Sequence, residues 1–95
     1  MLLAKIIGTP VATIKDPTLE GRKLLICREA DETGKATGKP YVAIDTVNAV
    51  VGDLVLTAHG SSGRQTDITK DTPVDAVIMA VIDSLQVDGA NTYKK

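Results

Sequence analysis

Residues 55–64 read VLTAHGSSGR, an apolar strand pattern that runs into a loop of glycine, serine and arginine. A second apolar run begins soon after it, at Pro73-Val74-Asp75-Ala76. The loop places small polar groups and one guanidinium at a tight backbone turn. This combination suits a contact between subunits or the rim of a pore better than a catalytic pocket.

The composition indicates one small domain whose core is almost wholly aliphatic. The chain has 95 residues, 43% of them hydrophobic, with two tyrosines and no Phe or Trp. A core of this size without large rings favours completion by neighbouring subunits. The single cysteine, Cys27, rules out an internal disulfide and lies in an apolar run, where a small buried side chain is expected.

Charge and hydropathy exclude several classes of partner. The net charge is −1, from 11 basic and 12 acidic residues spread along the chain, so no strong field favours nucleic acid or an anionic membrane. The first residues lack the apolar region of a signal peptide, and no apolar run approaches the roughly 18 residues of a membrane span. We therefore expect a cytoplasmic protein.

The pattern of β-branched residues and turn formers predicts short strands joined by glycine-rich turns. Predicted strands cover Leu3–Thr13 with a bend at Gly8 and Pro10, Leu24–Arg28, Tyr41–Val47 and Leu54–Ala58. Residues 31–40 are polar and contain two glycines, which predicts an exposed hairpin connection. Leu19 is expected to anchor the loop that follows the first strand.

The last apolar segment allows two interpretations. Its apolar residues fall at helical spacing behind Pro73, which can open a helix: Val74, Val77, Ile78, Val81, Ile82 and Leu85. The core of the segment is nevertheless short and dense in β-branched residues, which favours a strand buried on both faces. Taken as a strand, it completes five or so short strands, the pattern of a small closed β-barrel.

Ordered motifs give the chain a specific resemblance. They are Leu3-Ala4-Lys5-Ile6-Ile7-Gly8-Thr9, Ala12-Thr13, Lys15-Asp16-Pro17-Thr18-Leu19-Glu20-Gly21, Lys23-Leu24-Leu25, Val42-Ala43-Ile44-Asp45, Val51-Gly52-Asp53-Leu54-Val55-Leu56, Gly60-Ser61-Ser62-Gly63-Arg64, Pro73-Val74-Asp75-Ala76 and Val81-Ile82-Asp83. In this order they resemble the EutN/CcmL family of bacterial microcompartment vertex proteins. Three positions depart from the family pattern, at Gly63, around Asn48 and Val50, and at Ala80.

The resemblance implies an all-β fold, a small five-stranded OB-like β-barrel with at most one short helix. It implies one domain over residues 1–87, followed by a C-terminal tail over residues 88–95. The polar composition of this tail predicts that it is loose or adds a short edge strand. It also implies a homopentamer that closes the five-fold corners of a microcompartment shell in the cytoplasm, with hexameric shell proteins as partners. No enzymatic activity, cofactor or metal is expected.

Two groups of residues are candidate contacts between subunits. The first is the loop Gly60, Ser61, Ser62, Gly63 and Arg64, at the five-fold axis or the subunit boundary. The second group consists of interface or turn residues: Asp16, Pro17, Asp45, Pro73, Val74, Asp75 and Asp83. Asp45 and Asp83 each end an apolar strand, where a carboxylate commonly accepts backbone hydrogen bonds, although either is also a candidate partner for Arg64 of a neighbour.

Other functions receive less support from the residues. His59 lies near Ser61 and Ser62, but no Gly-x-Ser-x-Gly pattern of a hydrolase is present, and no ligand spacing predicts a metal site with Cys27. The alternative to a structural shell protein is a binding protein, an OB-like module that binds single-stranded nucleic acid or an oligosaccharide. Such surfaces combine stacked aromatic rings with a basic groove, which two tyrosines and a balanced charge supply poorly.

Overall fold

The fold is described by a computed structural model that covers residues 1–11, 13, 15, 17, 19, 21–59 and 76–95. These residues contain seven β-strands and no helix. The strands are β1 Leu2–Gly8, β2 Leu24–Ala30, β3 Ala36–Asp45, β4 Leu54–His59, β5 Ala76–Val81, β6 Ser84–Val87 and β7 Ala90–Lys94. The all-β prediction is confirmed, and the ambiguous last apolar segment is a strand.

The first five strands close into a barrel in the order β1-β2-β3-β5-β4. Neighbours are antiparallel except β3 and β5, which run parallel and pair through Ile44 with Val77 and Asp45 with Ile78. A closed five-stranded barrel of this kind is the predicted OB-like fold. Closure pairs the strands around the ring and removes the open edges that would otherwise invite aggregation.

Small and branched aliphatic side chains fill the barrel. Alternate residues of the strands point inward, and Ala49 joins them from the connection between β3 and β4. The buried cluster consists of Ala4, Ile6, Leu25, Cys27, Ala43, Ala49, Val55, Ala76 and Ile78. Four of the nine are alanines because a barrel of only five strands has a narrow interior. The narrow interior explains how the described strands bury their inward side chains without any Phe or Trp.

A second cluster covers part of the outer face of the barrel. It contains Leu19, Ile44, Ala58 and Val77, with Leu24 packed against it. Ile44 and Val77 each alternate with inward-facing neighbours, so this cluster lies on the opposite side of the sheet. Leu19 is 8% exposed and comes from the connection between β1 and β2, as predicted.

A β-bulge in β5 explains the helical spacing of its apolar residues. Thr57 pairs with Ile78 while the preceding Leu56 pairs with Ala80, so Met79 is an extra residue in β5. The extra residue lets both Ile78 and Val81, three positions apart, pack on the interior cluster. A spacing of three between core residues, which by itself suggests a helix, is therefore produced here by a bulged strand.

The bounds of β1 and β3 differ from those predicted. β1 ends at Gly8, not Thr13, after an irregular register between Ile6 and Gly8. β3 begins at Ala36, five residues earlier than predicted, because the connection is confined to a tight turn. In that turn the Asp31 Oδ1 accepts hydrogen bonds from the Thr33 hydroxyl and from the backbone N–H groups of Thr33 and Lys35. The hydrogen bonds from Thr33 hold the pKa of the Asp31 carboxyl below its ordinary value.

The segment from Ser84 folds as a hairpin, so the short edge strand predicted as one alternative for the tail is present as β7. The two turn residues, Asp88 and Gly89, both have positive φ, 52° and 79°, as a type I′ hairpin requires. The hairpin contacts the turn between β2 and β3. The Thr92 hydroxyl donates to the Glu32 carbonyl, and the Tyr93 ring lies against Gly34.

We expect Gly34→Ala to destabilise the protein more than Gly89→Ala. Both glycines have positive φ, 84° and 79°, so alanine strains the backbone at each by roughly 1 kcal/mol. A Cβ at Gly34 would also stand 2.6 Å from Tyr93 Cδ2, whereas one at Gly89 meets no atom within 4 Å. Urea unfolding should show a further loss of at least about 1 kcal/mol in Gly34→Ala. Equal losses in the two variants would contradict the contact with Tyr93.

Candidate assembly surface

Three of the twelve candidate contact residues are described by the structure, namely Pro17, Asp45 and Asp83. The other nine lie outside the described residues: Asp16, Gly60, Ser61, Ser62, Gly63, Arg64, Pro73, Val74 and Asp75. Pro17 is exposed in a turn between β1 and β2. Asp83 is exposed between β5 and β6, and its carbonyl accepts a hydrogen bond from the Lys95 N–H at 2.8 Å.

Asp45 holds the start of the connection between β3 and β4. Its carboxylate oxygens accept hydrogen bonds from the backbone N–H groups of Val47 and Ala49, each at 3.0 Å. The Lys23 ammonium lies 3.3 Å from Asp45 Oδ2 and also donates to the Ala49 carbonyl at 3.0 Å. The Asp45 side chain is only 1% exposed. This buried carboxylate is thus satisfied within its own subunit and fixes a turn.

A second aspartate fixes the other end of the same connection. Asp53 Oδ2 accepts a hydrogen bond from the Val50 N–H, and the Asp53 N–H donates to the Val50 carbonyl, both at 3.0 Å. The backbone is tied to β1 by Ile6 N–H to the Asp53 carbonyl and Gly52 N–H to the Ile6 carbonyl. Residues 46–53, the valine turn, are therefore held at both ends against the barrel.

The valine turn presents two apolar side chains to solvent. Val50 is 59% exposed and Val51 is 56% exposed. The pair is a small exposed apolar surface on a turn whose two ends are fixed to the barrel. These valines were not among the candidate contact residues predicted from the sequence. The signal that could have found them is two adjacent valines between the turn formers Asn48 and Gly52.

A buried polar network stands at the end of β4, next to the predicted contact loop. The Thr57 hydroxyl is fully buried and lies 3.0 Å from the Tyr41 hydroxyl and 2.7 Å from His59 Nε2. The Tyr41 and His59 rings meet edge to face, with centroids 4.7 Å apart. Thr57 and His59 are two residues apart on one strand and thus share a face. The network fixes the strand end from which Gly60 follows.

This network was not predicted from the sequence. His59 was considered only with the neighbouring serines, although a spacing of two along a strand places it on the same face as Thr57. Burial raises the pKa of Tyr41, against the smaller opposite effect of the hydrogen bond with Thr57.

The described residues were also examined for a metal site, a membrane-spanning helix and a reactive thiol. Within residues 1–59 and 76–95, apart from the undescribed positions, no group of three His, Cys, Asp or Glu side chains is placed to hold a metal ion. No helix in the described part of the chain is long and apolar enough to cross a membrane.

Burial, with a smaller contribution from the charge of Asp45, raises the pKa of the Cys27 thiol to about 11. The expected small buried side chain is confirmed at Cys27.

Comparison with known proteins identifies close relatives. A model of the family described as ethanolamine utilisation protein EutN/carboxysome matches residues 1–83. The carboxysome shell vertex protein CcmL of Synechococcus elongatus is 40% identical over 95 residues, which cover all of this chain and 96% of the relative.

Two solved structures of microcompartment shell proteins match the fold of this chain. The structure of CcmL from Nostoc sp. PCC 7120 matches with a TM-score of 0.88 and 42% identity over the full length of both chains. The GrpN pentameric microcompartment shell protein from Rhodospirillum rubrum matches with a TM-score of 0.79 and 36% identity, over 92% of this chain and 99% of its own.

We expect Thr57→Val to cost more stability than Tyr41→Phe. Valine has nearly the shape of threonine but leaves both the Tyr41 hydroxyl and His59 Nε2 without this partner, at a cost of about 1–3 kcal/mol. Phenylalanine at position 41 leaves the contact between Thr57 and His59 in place and should cost about 1 kcal/mol. Urea unfolding of both single variants and the double variant measures this. A double variant whose loss equals the sum of the two would contradict a shared network.

Alkaline pH should destabilise the protein through Cys27. Its pKa is raised from 9.0 to about 11, so between these values the unfolded thiol loses its proton while the folded thiol keeps it. The stabilisation is complete below pH 9 and lost as the pH rises towards 11, by about 2–3 kcal/mol. Urea unfolding at pH 8 to 11 measures the slope, and Cys27→Ala should flatten it. Equal slopes in the two proteins would contradict the assignment.

Proposed function

Because the chain belongs to the EutN/CcmL family, we propose that it forms the pentameric vertex of a bacterial microcompartment shell. The observation that carries the proposal is the match of the whole barrel to a solved CcmL, with a TM-score of 0.88 over all of both chains. The relatives include shell vertex proteins and a pentameric shell protein. The protein then resides in the shell, within the bacterial cytoplasm, beside hexameric shell proteins.

Geometry makes a five-fold unit necessary for such a shell. A layer of six-sided tiles stays flat or rolls into a tube, and five-sided units introduce the curvature that closes it. A ring with five-fold rotation is a closed heterologous assembly in which one surface of each subunit meets a different surface of the next. The closed barrel is a suitable subunit because its strands are paired within the chain, which leaves turns and outer faces for contacts.

The surface of the described residues supports an assembled protein. Val50 and Val51 are more than half exposed on the valine turn. Large apolar side chains on the strands, such as Ile7, Val42 and Met79, are each 40% exposed. Apolar surface that a single subunit leaves in water is typical of lasting subunit contacts.

We also propose a structural and not an enzymatic role. The relatives are named as shell vertex proteins, which describes a part of a container. The OB-like module for nucleic acid or oligosaccharide finds no counterpart among these relatives. The net charge of −1 gives such a surface no electrostatic support.

The proposal is tested by shell assembly with purified hexameric shell proteins. With the chain present, electron microscopy should show closed polyhedral shells, and without it open sheets or tubes. The control is a mixture in which an unrelated protein of similar size replaces the chain. Closed shells that form equally well without the chain would contradict a vertex role.

The loop from Gly60 to Arg64 is proposed as a contact between subunits. Arg64 offers a planar, always charged donor set that suits a carboxylate or carbonyl of a neighbour. Arg64→Ala should therefore raise the concentration at which the ring dissociates by about tenfold, the equivalent of about 1.4 kcal/mol. Arg22→Ala, at an exposed position between β1 and β2, serves as the matched control. Size-exclusion chromatography with light scattering gives the mass, and equal dissociation of the two variants would contradict this role for Arg64.

A further inference from the structure

The tip of the C-terminal hairpin carries an aspartate that is followed by glycine. Asp88 and Gly89 form the turn between β6 and β7, and both are exposed. No other aspartate or asparagine of the chain precedes a glycine. The carboxyl carbon of an aspartate can react with the backbone nitrogen of the next residue, and glycine hinders this reaction least because it has no side chain. The sequence therefore singles out this pair for a reaction with its own backbone.

The turn leaves the Gly89 nitrogen accessible. The φ angles of 52° at Asp88 and 79° at Gly89 place the two residues in a type I′ turn. The cross-strand pair that closes the turn is Val87 with Ala90, so the hydrogen bonds of the ladder do not engage the Gly89 N–H. A Cβ at Gly89 would meet no atom within 4 Å. Neither the ladder nor side-chain packing therefore shields this nitrogen.

The tip is also the least supported part of the hairpin. Every residue from 86 to 91 is exposed, and neither strand of the hairpin pairs with a strand of the barrel. The contacts of Thr92 and Tyr93 with the turn between β2 and β3 lie at the other end. A two-stranded hairpin without a packed face is marginally stable in water, so its tip opens locally at little cost. Such opening lets the Asp88 side chain approach the Gly89 nitrogen.

The other aspartates that the structure describes are better protected. Asp31 Oδ1 accepts three hydrogen bonds, which fix its carboxylate. The Asp45 and Asp53 side chains are buried and also accept backbone hydrogen bonds. Asp83 is exposed, but it precedes Ser84, whose side chain crowds the backbone nitrogen that would have to attack. Asp83 is therefore the natural reference for Asp88 within the same chain.

We propose that Asp88 is a site of spontaneous isoaspartate formation. The Gly89 backbone nitrogen attacks Cγ of the protonated Asp88 carboxyl group, a bond between nitrogen and Cγ forms, and a C–O bond breaks to release water. Water then adds to one of the two carbonyl groups of the resulting succinimide ring. Cleavage at Cγ restores aspartate, whereas cleavage at the backbone carbonyl gives isoaspartate, whose main chain runs through Cβ and Cγ. One water leaves and one returns, so the reaction needs no oxidant or cofactor.

Isoaspartate at position 88 is incompatible with the turn. It adds one atom to the main chain between Val87 and Ala90, whereas a type I′ turn joins its strands through two residues of ordinary length. Because the loop fixes the register of a hairpin, the pairing of β6 with β7 should be disturbed from the tip towards Tyr93. The barrel strands pair with one another and should keep their fold. The modification thus marks aged copies of the chain by a loosened hairpin.

Peptide mapping of the purified protein after several weeks at neutral pH tests the proposal. Isoaspartate is detected by electron-transfer fragmentation and by resistance to a protease that cleaves before aspartate. It should accumulate at Asp88 at least about tenfold faster than at Asp83, because glycine removes the side chain that hinders attack. Asp88→Asn should give the same two products with release of ammonia, since asparagine forms the same succinimide. Asp88→Glu keeps the charge on a longer side chain and should stay unmodified.

Equal rates at Asp88 and Asp83 would overturn the proposal, as would an Asp88→Asn variant that stays intact over the same period. In the fraction that carries isoaspartate, the backbone amides of residues 84–94 should exchange hydrogen about tenfold faster than in fresh protein, with the barrel unchanged. Unchanged exchange in the hairpin would contradict the effect on the turn. The modification does not depend on a ring of subunits, so its failure leaves the proposed vertex function standing.

Discussion

The closure of five strands into a narrow barrel is the constraint on which the rest of the structure depends. It requires small interior side chains, supplied by Ala4, Ala43 and Ala76, and a short parallel pairing of Ile44 with Val77 that completes the ring of strands. The Thr46 hydroxyl reinforces this junction by donating to the Ile78 carbonyl at 2.6 Å. Because the five strands pair around the ring, the barrel offers no open strand edge to another molecule.

Much of the fold was predictable because the local patterns agreed with it. The β-branched residues of β4 and β5 predicted strands, and so did the run from Tyr41 to Val47 that became part of β3. Helical spacing in β5 was ambiguous because the bulge at Met79 shifts the alternation by one residue, which no local pattern reveals. The hairpin at Asp88 and Gly89 was underestimated because the polar composition of the tail outweighed a dipeptide typical of type I′ turns.

The candidate surface was less predictable than the fold. Turn chemistry at Asp45 followed from its place at a strand end, but its ion pair with Lys23 joins residues 22 positions apart and depends on the register of the strands. The network of Tyr41, Thr57 and His59 likewise needs the barrel to bring β3 and β4 to the same interior. A contact between copies has no intramolecular partner, so its apolar residues, such as Val50, resemble ordinary exposed turn residues in the sequence.

The central claim is that this barrel exists as a ring of five. Its most direct test is the mass of the purified protein by native mass spectrometry from high to low micromolar concentration. Five copies of 10.0 kDa predict a species of about 50 kDa that persists on dilution. A monomer or dimer throughout the series would contradict the account, since neither can supply a five-fold corner.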